Sequence, residues 1–488
     1  MTNVLATPSL LSFLKEELNR GYILDNDEHR HLAREKVYSF MQIPREVEKF
    51  TAYGFFLCAY SYLYIYTFLP IRFLKAILSL LSRPISKYLR LMKSKLLLTS
   101  AEICDIYKGL MLVICTYLMF YIDINMMYHL IKSQSVIKLY IFYNMLEVGD
   151  RLFSAFGQDI IDALLWTATV GNRKKQKGGH LGVIPHLIFA LAYLFLHSML
   201  VLFQATTLNV AINSSSKSLL TIMISNNFVE LKGSVFKKFD KKSFFQVACT
   251  DVRERFNLFT LLFIVMLQTM KEYSWEEDRF WVLLPDCVVV LAAEVVVDWI
   301  KHAFITRFND LSVNVYSDYI TSLAYDTVLM RRKSAFSDHT DLVARRMGFI
   351  PLPLVIVMVR VLAHAIFMDG LPSLIIILLV FILLMLSHTL ISLVILGKGC
   401  CLMKQHKKVV DVTHSDSTTF TESTIIDKGK DKPLGRKLQF DADANGIKNL
   451  EKVRQSEEVL RLSDIFIDCK HLNINDPRSA NLNHAKQA

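Results

Sequence analysis

Apolar residues in this chain gather into runs long enough to matter to a lipid bilayer, separated by polar and mostly basic segments. A helix needs roughly 20 predominantly apolar residues to cross the hydrocarbon core. Leu371–Gly397 exceeds that with a single ionisable side chain, His388. Phe349–Met368 is interrupted by Arg360 and His364, Phe280–Ile300 by Asp286, Glu294 and Asp298, and Leu181–Phe203 by His186 and His197. Leu258–Met270, Gly109–Tyr121 and Phe55–Leu69 are shorter. They read equally as spans lengthened by their flanks, as re-entrant segments or as buried helices. The pattern predicts an all-α, multi-pass α-helical membrane protein with six to eight membrane segments, interfacial amphipathic helices and a disordered tail.

The polar stretches divide the chain into a helical N-terminal extension over 1–50, a polytopic membrane domain over 51–400 and a mostly disordered cytosolic tail over 401–488. In the extension, Ser9 precedes an amphipathic run of Leu10, Leu11, Phe13, Leu14 and Leu18, and a second helix is expected from Glu28 to a stop at Pro44. Pro70 either kinks one long helix or divides two. Residues 136–170 mix Phe153, Phe156, Ile160 and Leu164 at helical spacing with Asp159 and Asp162 off that stripe. This predicts a helix lying in the interface or packed on the bundle. Residues 405–445, rich in Ser, Thr, Asp and Lys, read as disordered, with a short amphipathic helix expected around Ile447–Leu462. The distribution of Lys and Arg places the 212–255 and 301–347 connections in the cytosol, the 271–279 and 369–372 links in the lumen, and both termini in the cytosol.

Composition agrees with a membrane protein: 52% of residues are hydrophobic and the mean hydropathy is +0.33. The net charge of +11 would raise nucleic acid as a partner of a soluble chain. Here the basic residues lie in loops between apolar runs, where they face anionic lipid, so the expected partner is the bilayer and no nucleic acid. The eight cysteines show no CxxC spacing and no accompanying histidine cluster, which argues against a zinc site or a disulfide framework. Cys400 and Cys401, just past the last apolar run, are placed for S-palmitoylation. Residues 1–14 lack the basic start and long apolar stretch of a cleavable signal, so the first apolar run is expected to target the chain.

The phosphate-binding pattern GxxxxGK[ST], a GxGxxG after a strand, HExxH and GxSxG are all missing, so the chain is read as a non-enzyme without catalytic residues, cofactor or metal. The intramembrane charges carry more information. Glu294 and Asp298 are i, i+4 neighbours, and with Asp286 they form one acidic sector; Arg360 and His364 are again i, i+4. A charge at mid-membrane costs roughly 2.5–3.5 kcal/mol on insertion scales and normally faces a partner or water. The structural reading is an interhelical ion pair such as Glu294 with Arg360, with Asp298 near Lys301 at the interface. The alternative is a transporter or channel that uses the acidic sector Asp286, Glu294 and Asp298. His186 and His197 lie on nearly the same face of one span, and packing or hydrogen bonding explains them better than metal ligation.

Long ordered segments carry a family resemblance. They include AEICDIYKG at 101–109, IKLYIFYNMLEVGDRLFSAFGQDIIDALLWTAT at 137–169 and HLGVIPH at 180–186. QATTLNVAINSSSKSLLTIMISNNFVELKGSVFKKF at 204–239, AAEVVVDWIKHAFITRFNDL at 292–311, VYSDY at 315–319 and RRMGFIPLPL at 345–354 continue it. Over roughly residues 35–400 the chain resembles the transmembrane anterior posterior transformation protein family. The resemblance implies a eukaryotic multi-pass protein of the endoplasmic-reticulum membrane, with links to ciliary basal bodies or the centrosome, to ciliogenesis and to developmental patterning. It also implies a SUN-domain-like membrane protein as partner and a role in protein folding or trafficking. It brings no catalytic residues, and it leaves the oligomeric state open.

Overall fold

The computed structural model describes residues 10–18, 27–88, 99–170, 182–214, 221, 229, 231–332, 339–365 and 371–426, and every described segment of regular structure is helical. The first helix, α1, is the short Leu10–Leu18. The first long helix, α2, runs unbroken over Asp27–Tyr88, straight through Pro44, Pro70 and Pro84. A proline inside a helix removes one backbone hydrogen bond at a cost of about 3 kcal/mol. Around Pro44 that cost is offset by a buried stripe at helical spacing, Ile43, Val47, Phe50, Tyr53 and Leu57, each of them almost inaccessible. The expected stop at Pro44 is therefore corrected. The expected boundary at residue 50 falls in the middle of α2.

Next come α3 (Ser100–Phe120), α4 (Ile124–Lys132), α5 (Val136–Val170) and α6 (Val183–Asn213). Thr99 and Glu102 close a capping box at the start of α3, and Asp123 caps α4 through the amides of Asn125 and Met126. The mixed segment 136–170 is a single helix packed antiparallel on α6. Glycines allow the close approach: a Cβ on Gly149 would stand 2.6 Å from Leu200, and one on Gly157 would stand 1.8 Å from the Tyr193 hydroxyl.

The second half holds α7 (Lys241–Glu272), α8 (Glu277–Phe308), α9 (Val315–Arg332), α10 (His339–Met347), α11 (Leu352–Ala365) and α12 (Leu371–Ile426). α7 starts at Asp240, whose carboxylate accepts from the Ser243 hydroxyl and amide. Those bonds hold the Asp240 carboxyl below its ordinary value. α7 and α8 form a hairpin whose link turns through Ser274 and Trp275, both left-handed, with φ of 53° and 62°. α2 is the hub, packing against α3, α7, α8, α9, α10, α11 and α12.

Five helical segments among the described residues are long and apolar enough to cross a membrane: Val37–Ser82, Ser100–Phe120, Val183–Asn213, Glu277–Phe308 and Ile375–Gln405, with α11 a shorter apolar helix beside them. The protein is thus an all-α, multi-pass membrane protein. α12 shows the lipid-facing surface most clearly, with Leu379, Leu383, Leu386 and Leu390 each between 62% and 64% exposed. Its one ionisable residue in the apolar run, His388, is 2% exposed and stacks on Tyr60 with ring centroids 4.6 Å apart. α12 also continues over 405–426, which the sequence reading assigned to disorder. No proline or glycine falls between Gly399 and Gly429 to stop it. The remainder of the expected tail, with the helix expected near Ile447–Leu462, lies outside the described residues.

One feature of the chain path departs from the expected topology. Asn213, at the end of α6, donates to Thr269 Oγ1 at 2.9 Å, and Asn209 donates to Gln268 Oε1 at 3.4 Å, both near the end of α7. Earlier on the same two helices, His197 and Gln204 share a small cavity with Arg253, Asn257 and Leu261. α6 and α7 therefore run in the same direction. Residue 213 sits at the opposite end of the bundle from residue 241, so 212–255 is not a single loop on one side.

Candidate functional site: a buried charge network

Where α2, α7, α8 and α9 meet, polar and charged side chains form one connected chain. Asp298 is 1% exposed, and its Oδ2 accepts from Arg255 Nε at 2.6 Å. Lys301, one turn on along α8, stands between two carboxylates, with Nζ 3.0 Å from Asp298 Oδ1 and 2.9 Å from Asp251 Oδ1. Asp251 Oδ2 lies 2.8 Å from His302 Nε2, and His302 Nδ1 lies 2.9 Å from the Tyr316 hydroxyl. At the other end Arg255 Nη1 donates to Glu48 Oε1 at 2.7 Å, and the indole of Trp299 donates to the same oxygen at 2.7 Å. Glu48 comes from α2, Asp251 and Arg255 from α7, Asp298 through His302 from α8, and Tyr316 from α9, so the network ties four helices.

Its charges nearly balance. Three carboxylates face two permanent cations, and His302 closes the chain by hydrogen bonding Asp251 and Tyr316. Buried charges persist only when paired and hydrogen-bonded, and removing one partner strands another. Helix geometry explains the assembly. Asp251 and Arg255 are i, i+4 on α7, while Asp298, Lys301 and His302 occupy successive turns of α8, so each helix presents one charged stripe to the other.

A second unit repeats part of this chemistry between α5 and α6. His197 Nε2 lies 2.9 Å from Asp150 Oδ1, and its Nδ1 lies 3.0 Å from the Tyr193 hydroxyl. In both units carboxylate and phenol occupy the two ring nitrogens, which fixes the imidazole's orientation and leaves neither nitrogen directed at a reactant. Beside the second unit, the cavity lined by Asp150, His197, Gln204 and Arg253 measures about 20 Å³, room for a single water. Arg151, which bridges Glu147 at 2.9 Å and Glu254 at 3.2 Å, adds a further tie from α5 to α7.

Of the charged positions singled out in the sequence, one joins the network. Asp298 enters the network; Asp286 and Glu294 are half-buried elsewhere on α8. Arg360 is carried by α11, which packs chiefly on α6, α3 and α7, and with His364 it lines a pocket beside Asp123. His186 is half-buried near the start of α6. Cys400 is buried against Val328 and Met403, and Cys401 is the more accessible of the pair. Sequence reasoning missed Glu48, Asp251, Arg255 and His302, which stand in polar stretches outside the apolar runs. The one available signal was the i, i+4 pair Asp251 and Arg255, spaced like the charges of α8.

Comparison with known proteins places this architecture. A profile described as a eukaryotic membrane protein family matches residues 98–404. The Drosophila melanogaster protein TAPT1 homolog is 56% identical over 422 residues, covering 86% of this chain and 61% of the relative. The Homo sapiens transmembrane anterior posterior transformation protein 1 homolog is 48% identical over 456 residues, covering 93% and 79% respectively. The Mus musculus protein of the corresponding name is 53% identical over 400 residues, covering 82% and 70%. The chain therefore spans about three fifths of the fly relative's length and more of the mammalian ones. No solved structure matches the chain significantly.

Proposed function

The chain belongs to the transmembrane anterior posterior transformation protein family, and from that premise we propose that it is a non-enzymatic scaffold of the endoplasmic-reticulum membrane. In this reading it binds a partner membrane protein with a SUN-like domain and supports protein folding or trafficking. Effects on ciliogenesis, at the basal body or centrosome, and on developmental patterning follow from that work. The observation that carries the reading is the closure of the charge network on itself. Asp298 is spent on Arg255 and Lys301 at 1% exposure. A buried network with its charges mutually paired fixes the relative positions of helices, which is what a docking frame requires.

The alternative, a conduit for ions or protons along Asp286, Glu294 and Asp298, needs those carboxylates to face a continuous wet path. Reconstitution of the full chain into sealed vesicles decides between the two. The scaffold reading expects proton and cation flux equal to that of protein-free vesicles. Flux that disappears with Asp298→Asn establishes the conduit instead.

A further inference from the structure

Arg360 is a buried cation of the apolar helices whose only counter-charge within electrostatic reach among the described residues is Asp123. It is 5% exposed, and its Nη1 is fully buried with no hydrogen-bond partner. It forms no ion pair among the described residues. A buried guanidinium is costly unless acceptors and counter-charge meet it. The pocket it lines has a volume of about 280 Å³ and lies beneath the turn between α3 and α4, with Tyr121, Asp123, Asn125 and His364 among its walls.

Two features give this pocket a preference for oxyanions. Arg360 offers a planar fork of donors suited to phosphate. His364 stands one turn away at the rim, and Lys271, from the end of α7, is close enough to act on it electrostatically. Against these stands a single acid, Asp123, whose Oδ1 accepts from the amides that start α4, at 2.9 Å from Asn125 N and 3.4 Å from Met126 N, and which acts electrostatically on Arg360 and His364, so the cations of the pocket outnumber its acid. Neighbouring aromatics set the depth. Tyr117, Phe120 and Tyr121 at the end of α3 are 61%, 50% and 72% exposed, and Trp275 and Trp281 at the α7–α8 hairpin are 53% and 60% exposed. Exposed Tyr and Trp of this kind collect at the level of lipid headgroups. The apolar face of α3 below them, exposed at Val113, suits acyl chains.

We propose that Arg360, with His364 beside it, holds the phosphate of a membrane phospholipid headgroup in the pocket under the α3–α4 turn. The lipid phosphate adds its negative charge to that of Asp123 opposite the basic side chains, and it staples α11 to α3 at the membrane surface.

The test uses the full chain, stripped of lipid in detergent and examined by native mass spectrometry. Three additions are compared: an anionic phospholipid, phosphatidylcholine and inorganic phosphate. The wild type is expected to retain one phospholipid, and Arg360→Gln to bind it at least tenfold more weakly, the loss of about one charged hydrogen bond or more. Arg345→Gln, at a 54% exposed side chain elsewhere, should bind as the wild type does. Equal retention by Arg360→Gln overturns the proposal. Inorganic phosphate that displaces the lipid at comparable concentration overturns the lipid as the source and leaves a soluble anion site. A second measurement needs no variant. A phospholipid with a photoreactive headgroup should crosslink the wild type within residues 120–125 or 360–364, and crosslinks confined to other segments overturn the assignment.

Discussion

Lys301→Met is the sharpest perturbation of the network. The ammonium group is 3% exposed and stands 2.9 Å from Asp251 and 3.0 Å from Asp298. At an effective dielectric of about 20, each contact amounts to roughly 5–6 kcal/mol of gross attraction. Most of that is cancelled by the several kcal/mol needed to desolvate the ammonium, a cost that methionine avoids. What remains is two buried carboxylates without the cation between them, so the net loss should be about 3–5 kcal/mol. Asp298→Asn should cost less. It leaves Arg255 with Glu48 and Lys301 with Asp251, a balanced set. Lys301→Met combined with Asp298→Asn should then recover much of what Lys301→Met loses, because Asp251 keeps His302 and Arg255 keeps Glu48. The assay is thermal unfolding of the full chain in mild detergent, run as a double-mutant cycle. A double variant whose loss equals the sum of the single losses would refute the pairing, since coupled residues do not add.

Three further outcomes follow. Gly157→Ala should destabilise by roughly 1–3 kcal/mol as its methyl displaces Tyr193, and thermal unfolding should show it while Gly182→Ala, with open space around its Cβ, has little effect. Cysteines substituted for Asn213 and Thr269 should crosslink on mild oxidation, seen as a linked peptide by mass spectrometry; failure to link would restore 212–255 to one side of the membrane. His388→Phe should keep the stack on Tyr60 and stay within about 1 kcal/mol of wild type, whereas His388→Ala should cost roughly 2–4 kcal/mol in the same unfolding assay.

The membrane architecture was legible because it rests on local composition. Leu371–Gly397 is apolar from end to end, and α12 follows from it directly. Pro44 misled because tertiary burial of Ile43, Val47 and Phe50 outweighs a local propensity. The acidic sector on α8 was recognisable from spacing, yet which cation meets Asp298 depends on which helices become neighbours. Arg255 lies 43 residues away in sequence and Glu48 lies 207 residues from Arg255. For the same reason the sequence could not say that Arg360 looks toward the α3–α4 turn. The parallel run of α6 and α7 was hidden from a charge-alternation argument, which assumes that each connection stays on one side.

The scaffold reading stands or falls on what the chain holds in the membrane. Gently solubilised membranes should yield, with the wild-type chain and with the Lys301→Met, Asp298→Asn double variant, the same co-purifying membrane protein with a SUN-like domain. Recovery with Lys301→Met alone should be markedly lower. A wild-type chain that enriches no membrane protein, or a partner retained fully by Lys301→Met and lost from the double variant, would contradict the account.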